Sequence, residues 1–203
     1  MLLIKNGKII DGSGRAAYAG DILISGEKIS AIEPAIRKTG ITTIDALGGT
    51  VAPGFIDPNT DSDHYLTLFT DPGQGDFLLQ GVTSIIGGHC GASLAPLLYG
   101  SLESIRKWAD TAQINVNWHT AGEFFQILGT RKLGVNFGTL IGHSTIRRAL
   151  VGETARDLTD NELTVFEGIV GKSLEEGALG FSAGLGYAHS ALVPRNEILR
   201  LLK

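Results

Sequence analysis

At Pro53 the pattern of this chain changes, and that change limits the choice of fold more than any single motif. Before it, short apolar runs are separated by tight turns that leave no room for a helix. Leu2-Leu-Ile-Lys5 and Lys8-Ile-Ile10 flank Asn6-Gly7, a strong signal for a two-residue hairpin. Asp21-Ile-Leu-Ile24 and Lys28-Ile-Ser-Ala-Ile32 flank a second turn at Ser25-Gly-Glu27. Ile41–Ile44 and Thr50–Ala52 continue the series, so residues 1–52 read as a small antiparallel β unit.

From residue 53 onward strands alternate with helices. Phe55-Ile-Asp57, Val82–Ile86, Val135–Ile141 and Ala178–Ser182 read as four short strands. Helices are expected over about 101–110, after the capping box Thr120-Ala-Gly-Glu123, after Thr159-Asp-Asn-Glu162 as far as Gly177, and from about Pro194 to Lys203. Such alternation implies a parallel sheet with right-handed crossovers. Four strands do not close an eight-stranded barrel, and a half barrel leaves apolar edges that invite aggregation. The expectation is the N-terminal portion of a longer protein, or a short product whose open edges are covered by a partner chain.

The composition narrows the function by exclusion. A formal charge of −4 over 203 residues argues against nucleic acid and anionic membranes as partners. One cysteine rules out an intrachain disulfide framework and suits a reducing compartment. No apolar run has the length of a signal peptide or a membrane span, so a soluble, cytoplasmic protein is expected. The 28 glycines, roughly twice the average usage, are scattered among apolar runs and suit tight strand-to-helix turns.

Several polar side chains stand at strand ends. Cys90 lies between Gly88 and Gly91 after a β-branched strand. A zinc-bound thiolate needs solvent access and a backbone that can bend, which this setting allows; a buried structural thiol is the alternative. Asn59 and Asp61, two apart in an extended segment, point to one side and can address one ion. The alternative there is an Asx turn encouraged by Pro58. His64 can add an imidazole to that pair through a shift of register, or lie on the surface of its loop. His143 ends the third strand and can orient a substrate carboxylate or carbonyl with Ser144 and Arg147, or simply bond to its neighbours. Ser182 and Tyr187 flank the end of the fourth strand, where Gly184 and Gly186 let a ligand approach the backbone; their hydroxyls can fix an acyl or carboxylate group. Ser182 is not read as a nucleophile. His189 reads as loop surface, and Trp108, Trp118 and Phe124 read as packing. The run Gly87-Gly-His-Cys-Gly91 lacks the spacing of a nucleotide-binding loop.

Six stretches carry a family resemblance. They are Ile4-Lys-Asn-Gly-Lys-Ile-Ile-Asp-Gly12, Ala52-Pro-Gly-Phe-Ile-Asp57, Gln80-Gly-Val-Thr83, His89-Cys-Gly-Ala-Ser-Leu-Ala-Pro96, Gly142-His-Ser-Thr-Ile-Arg147 and Gly177–Tyr187. Together they resemble the N-acyl-D-amino-acid deacylase (D-aminoacylase) branch of the amidohydrolase superfamily, nearly end to end. The fourth and sixth stretches point to this branch in particular. The resemblance implies an α/β chain: the first half of a (β/α)8 barrel, about four β/α units over residues 53–203, preceded by a β-sandwich segment over 1–52. It implies zinc at the C-terminal ends of the barrel strands, in a single-ion site where Cys90 is a ligand, with Asp61 and Asn59 as further candidates. Asn59 and Asp61 occupy the places where the family has His-x-His, which disfavours a two-zinc site.

The implied reaction is metal-assisted hydrolysis of a non-peptide amide in a small acylated amino acid. Zinc would lower the pKa of its water and polarise the carbonyl, with a general-base aspartate and further ligands beyond Lys203. Residues 1–203 alone are then expected to be inactive. The competing expectation is a non-catalytic relative retained as a binding or assembly scaffold.

Overall fold

The computed structural model describes residues 1–203, which divide into two compact units, Met1–Gly54 and Phe55–Lys203. In the first, β1 (Leu2–Ile9) pairs antiparallel with β2 (Tyr18–Ser25), and β2 with β3 (Lys28–Glu33) across the turn at Gly26-Glu27. Two expectations fail here. Asn6-Gly7 is no hairpin turn but a bulge inside the continuous strand β1, where the register against β2 shifts between Ile4 and Gly7. Asn6 takes a left-handed φ of 55° there; its N–H donates to Asp21 Oδ1 at 2.9 Å and its side-chain amide to Asp45 Oδ1 at 2.9 Å. Those tertiary partners outweigh the local turn preference. The unit is also not wholly antiparallel. β4 (Thr42–Asp45) and β5 (Thr50–Val51) both run parallel to β1, giving one mixed five-stranded sheet. Leu3, Leu23 and Ile36 form its small core.

In the second unit β6 (Phe55–Asp57), β7 (Val82–Gly87), β8 (Asn136–Gly142) and β9 (Gly180–Ser182) are all parallel and lie in sequence order, as successive staves of a barrel wall do. The edge strand β6 leaves Phe55 and Ile56 about two-thirds exposed, at 65% and 66%. Between the strands run single turns α1 (Thr67–Thr70) and α2 (Gly75–Leu78), then α3 (Ala121–Gly129), α4 (His143–Val151), α5 (Asp160–Glu175) and finally α6 (Arg195–Leu201). The expected capping box of Thr120 with Glu123 starts α3, and Thr159 with Glu162 forms a second one at the start of α5.

The helix expected over 101–110 is instead a run of turns. Ile105 N–H bonds to Leu102 O at 3.0 Å and Trp108 N–H to Ile105 O at 2.9 Å, a three-residue spacing. That spacing turns Leu102 and Ile105 together into the core, while Ser101 Oγ captures the Glu103 N–H. The helix α4 follows β8 directly, with no loop between them. One cluster around Trp118, Phe124 and Ile105 fills the space beneath β7, and a second around Phe166, Ile141 and Ile146 packs α4 and α5 on β8. No helix is long and apolar enough to cross a membrane.

Candidate active site

The loop after β7 is built around Cys90. Gly88, Cys90 and Gly91 all take left-handed φ values, 78°, 54° and 76°. A Cβ at Gly88 would lie 2.2 Å from the Leu140 carbonyl oxygen, and one at Gly184 would lie 1.9 Å from that of Cys90. The loop therefore rests on the ends of β8 and β9 so closely that side chains are excluded on both sides of the thiol. Holding a non-glycine residue in the left-handed region costs on the order of 1 kcal/mol. Ser182 offsets that cost: its Oγ accepts the Gly91 N–H at 3.0 Å and donates to the Gly88 carbonyl, stapling the loop on either side of Cys90. Thr145 N–H adds a bond to Gly91 O at 3.1 Å. The Cys90 thiol is exposed, so the structure does not have the buried thiol weighed above.

Ser182 lies in Gly180-Phe-Ser-Ala-Gly184, which has the Gly-x-Ser-x-Gly spacing of a nucleophile elbow, a match the sequence reading passes over. Its hydroxyl is committed to backbone and bonds to no histidine, so it holds the loop and is not poised as a nucleophile.

After β6 the chain turns through an Asx turn, with Asn59 N–H on Asp57 Oδ1 at 3.1 Å. Asn59 and Asp61 are exposed on either side of buried Thr60, which bonds to Ile86 O through both its N–H and its hydroxyl at 3.0 Å. His64 is buried, not on the surface. Its ring stacks on Trp108 at 4.5 Å, with Nδ1 3.0 Å from Asp61 and Nε2 3.1 Å from Ala92 O. Asp63, fully buried, accepts the Gly88 N–H at 2.7 Å. Burial pushes its carboxyl pKa up, against the pull of His64 and that N–H. Asp63 thus ties the first loop to the Cys90 loop, a role no local signal announced.

A Cβ at Gly184 would lie between the Cys90 carbonyl oxygen and Tyr187 Cε2, 1.9 Å from one and 2.7 Å from the other, so the Tyr187 ring stands beside the Cys90 loop. Burial pushes its phenol pKa up. Asn59 lines a shallow recess with Asp57, Asp61 and Tyr65.

His143 and Arg147 sit elsewhere. Both are buried on α4 and converge on Glu197 of α6: His143 Nε2 lies 2.8 Å from Glu197 Oε1 and Arg147 Nε donates to the same oxygen at 2.9 Å. Arg147 also donates to the carbonyls of His189 and Arg156. Burial by itself would raise the Glu197 carboxyl, but the His143 and Arg147 bonds and charges hold it below its ordinary value. Phe166 stacks on the other side of the His143 ring at 5.5 Å. His189, expected on the surface, is buried with Nδ1 3.3 Å from Glu153. Nothing local marks Glu197 in the sequence, because its partners lie about fifty positions upstream on another helix.

One exposed thiolate and one carboxylate are too few for a tetrahedral zinc. No group of three or more histidine, cysteine, aspartate or glutamate side chains gathers in a metal-holding arrangement. The residues of this chain do not by themselves fit the metal.

No family model matches the sequence. The chain is 32% identical over 197 residues to N-acyl-D-aspartate deacylase of Alcaligenes xylosoxydans xylosoxydans, covering 97% of this chain and 39% of that protein. It superposes on the crystal structure of D-aminoacylase, which defines a novel subset of amidohydrolases, with a TM-score of 0.84 and 26% identity over 99% of this chain and 42% of that one. D-aminoacylase has a binuclear metal centre, with one-metal activation and second-metal attenuation. N-acyl-D-glutamate deacylase from Bordetella bronchiseptica, complexed with zinc and a phosphonate mimic of the tetrahedral intermediate, matches with a TM-score of 0.83 and 28% identity over 98% and 41% of the two chains. The chain spans about two-fifths of the length of these relatives. With its parallel strands in barrel order, its glycine-bracketed Cys90 loop and these likenesses, the chain belongs to the D-aminoacylase branch of the amidohydrolase superfamily.

Proposed function

We propose that this chain contributes part of the active site of a deacylase that hydrolyses the amide of small N-acyl amino acids. The observation that carries the reading is Cys90: an exposed thiol in a left-handed loop, clamped by Ser182 and Asp63, with the Tyr187 ring beside that loop. Nothing about packing requires an exposed cysteine in so constrained a backbone, whereas a metal-ligating thiolate requires both. Cys90 is proposed as a ligand, and Asp61 as an adjacent ligand or water-orienting carboxylate. Asn59, a neutral amide, is the weakest donor of the three. Tyr187 is proposed to meet the substrate. Ser182 acts by holding the Cys90 loop, and His143 with Arg147 by fixing the ends of α4 and α6.

The remaining ligands and the general base are proposed to come from polypeptide outside residues 1–203, either a continuation of the chain or a partner, which also covers the open edges of the half barrel. A single-ion site and a cytoplasmic setting complete the reading. The D-amino-acid preference is taken from the named relatives. Asn59, a neutral amide where the resemblance places a histidine, favours a second reading, a non-catalytic relative serving as a scaffold.

The test is release of free amine from N-acetyl-D-aspartate, N-acetyl-D-glutamate and their L counterparts. The complete reading frame that contains this chain should turn over the D forms, Cys90→Ser should abolish that, and residues 1–203 alone should be inert. Turnover by residues 1–203 alone, or undiminished turnover in Cys90→Ser, would refute the reading. An inert complete protein would favour the scaffold.

A further inference from the structure

Residues 114–118, which lead into α3, form an extended segment with no neighbour on either edge. Ile114 has φ −132° and ψ 149°, and burial alternates along the run. Gln113, Asn115, Asn117 and His119 are exposed, whereas Ile114 and Val116 pack on the core cluster that holds fully buried Trp118. That is the period of a β-strand laid on a core. Yet no main-chain N–H or C=O from residue 114 to residue 118 bonds to another main-chain group. Side-chain packing and the bond from Trp118 Nε1–H to the Leu94 carbonyl at 2.6 Å hold the segment in place. Nor does any proline or charged residue blunt the run from Gln113 to His119. A strand pinned in this way, with its backbone groups free, is a template for pairing with another strand.

A groove of about 670 Å³ runs beside this segment. Asn115 and Asn117 line it from the segment, Gln126, Thr130 and Arg131 from the end of α3 and the turn after it, and Phe69 from α1. The volume is that of a site for a small molecule or a few residues of peptide. Arg131 is the only charged residue in the lining, so the groove carries an uncompensated positive charge. Its guanidinium lies 5.3 Å from the centre of the Phe69 ring, which keeps the charge at the groove and leaves its N–H donors free. Unpaired strand backbone, neutral amides and one cation thus share a single recess.

We propose that this groove docks an extended peptide segment that carries a carboxylate side chain. The backbone of the peptide adds a strand to residues 114–118, and its carboxylate pairs with Arg131. Free backbone groups call for a partner with a strand's own donors and acceptors, and the lone cation calls for an acid. The surface stands apart from the deacylase reading. It uses none of the residues placed there, and Arg131 lies where the chain turns toward the start of β8, whereas Cys90 follows the end of β7.

Titration of the 203-residue chain with the peptide acetyl-Thr-Val-Glu-Val-Thr-amide, followed through backbone amide resonances, tests it. The N–H resonances of residues 114–118 should shift and saturate together, and their hydrogen exchange should slow. The same peptide with its central amides N-methylated cannot pair as a strand and should bind about tenfold more weakly. Exchanging the peptide's Glu for Gln should weaken binding about two- to fivefold, the effect of an exposed ion pair. Arg131→Met keeps the stem of an exposed side chain and should abolish that preference. No saturable shift at residues 114–118, or equal binding of the N-methylated peptide, overturns the docking groove. A preference for Glu that survives Arg131→Met, or no preference in the unaltered chain, overturns the part given to Arg131. The same shifts on concentrating the chain without peptide would overturn a peptide partner in favour of a second copy of the chain.

Discussion

Replacing Glu197 by glutamine tests the cluster that joins α4 to α6. Glutamine keeps the shape of the side chain but loses its charge, and it turns a donor toward a site already crowded with donors. Arg147, 1% exposed, is then left without a counter-charge, and His143, fully buried, loses its 2.8 Å partner. Removing one partner of a buried, hydrogen-bonded ion pair costs about 3–5 kcal/mol. Against a typical total of about 5–15 kcal/mol, that is a large fraction of the stability of the fold. Urea unfolding at pH 7, followed through the fluorescence of buried Trp118, measures it. The pH dependence carries a sign. The folded-state pKa of Glu197 is held below the ordinary value, so its contribution is complete above the unfolded glutamate value of about 4.3 and is lost as pH falls through the lower folded value. The gap between the unaltered protein and Glu197→Gln should stay level from neutral pH down to about 5 and then close with further acidification. A variant within about 1 kcal/mol of the unaltered protein at pH 7, as for an exposed pair, would refute the reasoning. So would a gap that widens in acid.

Ser182→Ala removes both staples of the Cys90 loop and should cost about 1–3 kcal/mol while raising the rate at which Cys90 reacts with a disulfide reagent; unchanged stability and rate would show that the loop holds itself. Gly88→Ala places a methyl group 2.2 Å from the Leu140 carbonyl at a positive φ, and should disturb the Cys90 loop more than Ser182→Ala does, read from the same two assays. Thr159→Ala breaks the capping box of α5 and should cost about 1 kcal/mol in urea unfolding with no change in Cys90 reactivity.

What the sequence revealed and what it hid follow from the range of the interactions involved. The apolar runs that become strands in the second unit and the two capping boxes depend on neighbours within a few residues, and their residue types announce them. The bend around Cys90 is marked locally by its glycines but held, through Gly91, by Ser182, 91 residues away. Asn6-Gly7 carried an equally strong local signal, but Asp21 and Asp45, far along the chain, turned it into a bulge. Residues 101–110 have helical spacing, yet burial of Leu102 and Ile105 and the Ser101 hydroxyl drew them into turns. Asp63 bonds Gly88 across 25 residues, and Glu197 reaches His143 across 54. No period or motif encodes such pairs, so nothing local in the sequence shows that Arg147 and His143 converge on Glu197.

The most direct test of the account is a cobalt(II) and zinc titration of residues 1–203, with the Cys90→Ser variant beside it. The account predicts weak, non-stoichiometric binding, with a thiolate-to-cobalt absorption that disappears in Cys90→Ser, because a single thiolate and its neighbouring carboxylate cannot complete a tetrahedral site. Tight binding of one zinc per chain, or a cobalt spectrum that Cys90→Ser leaves unchanged, would contradict it.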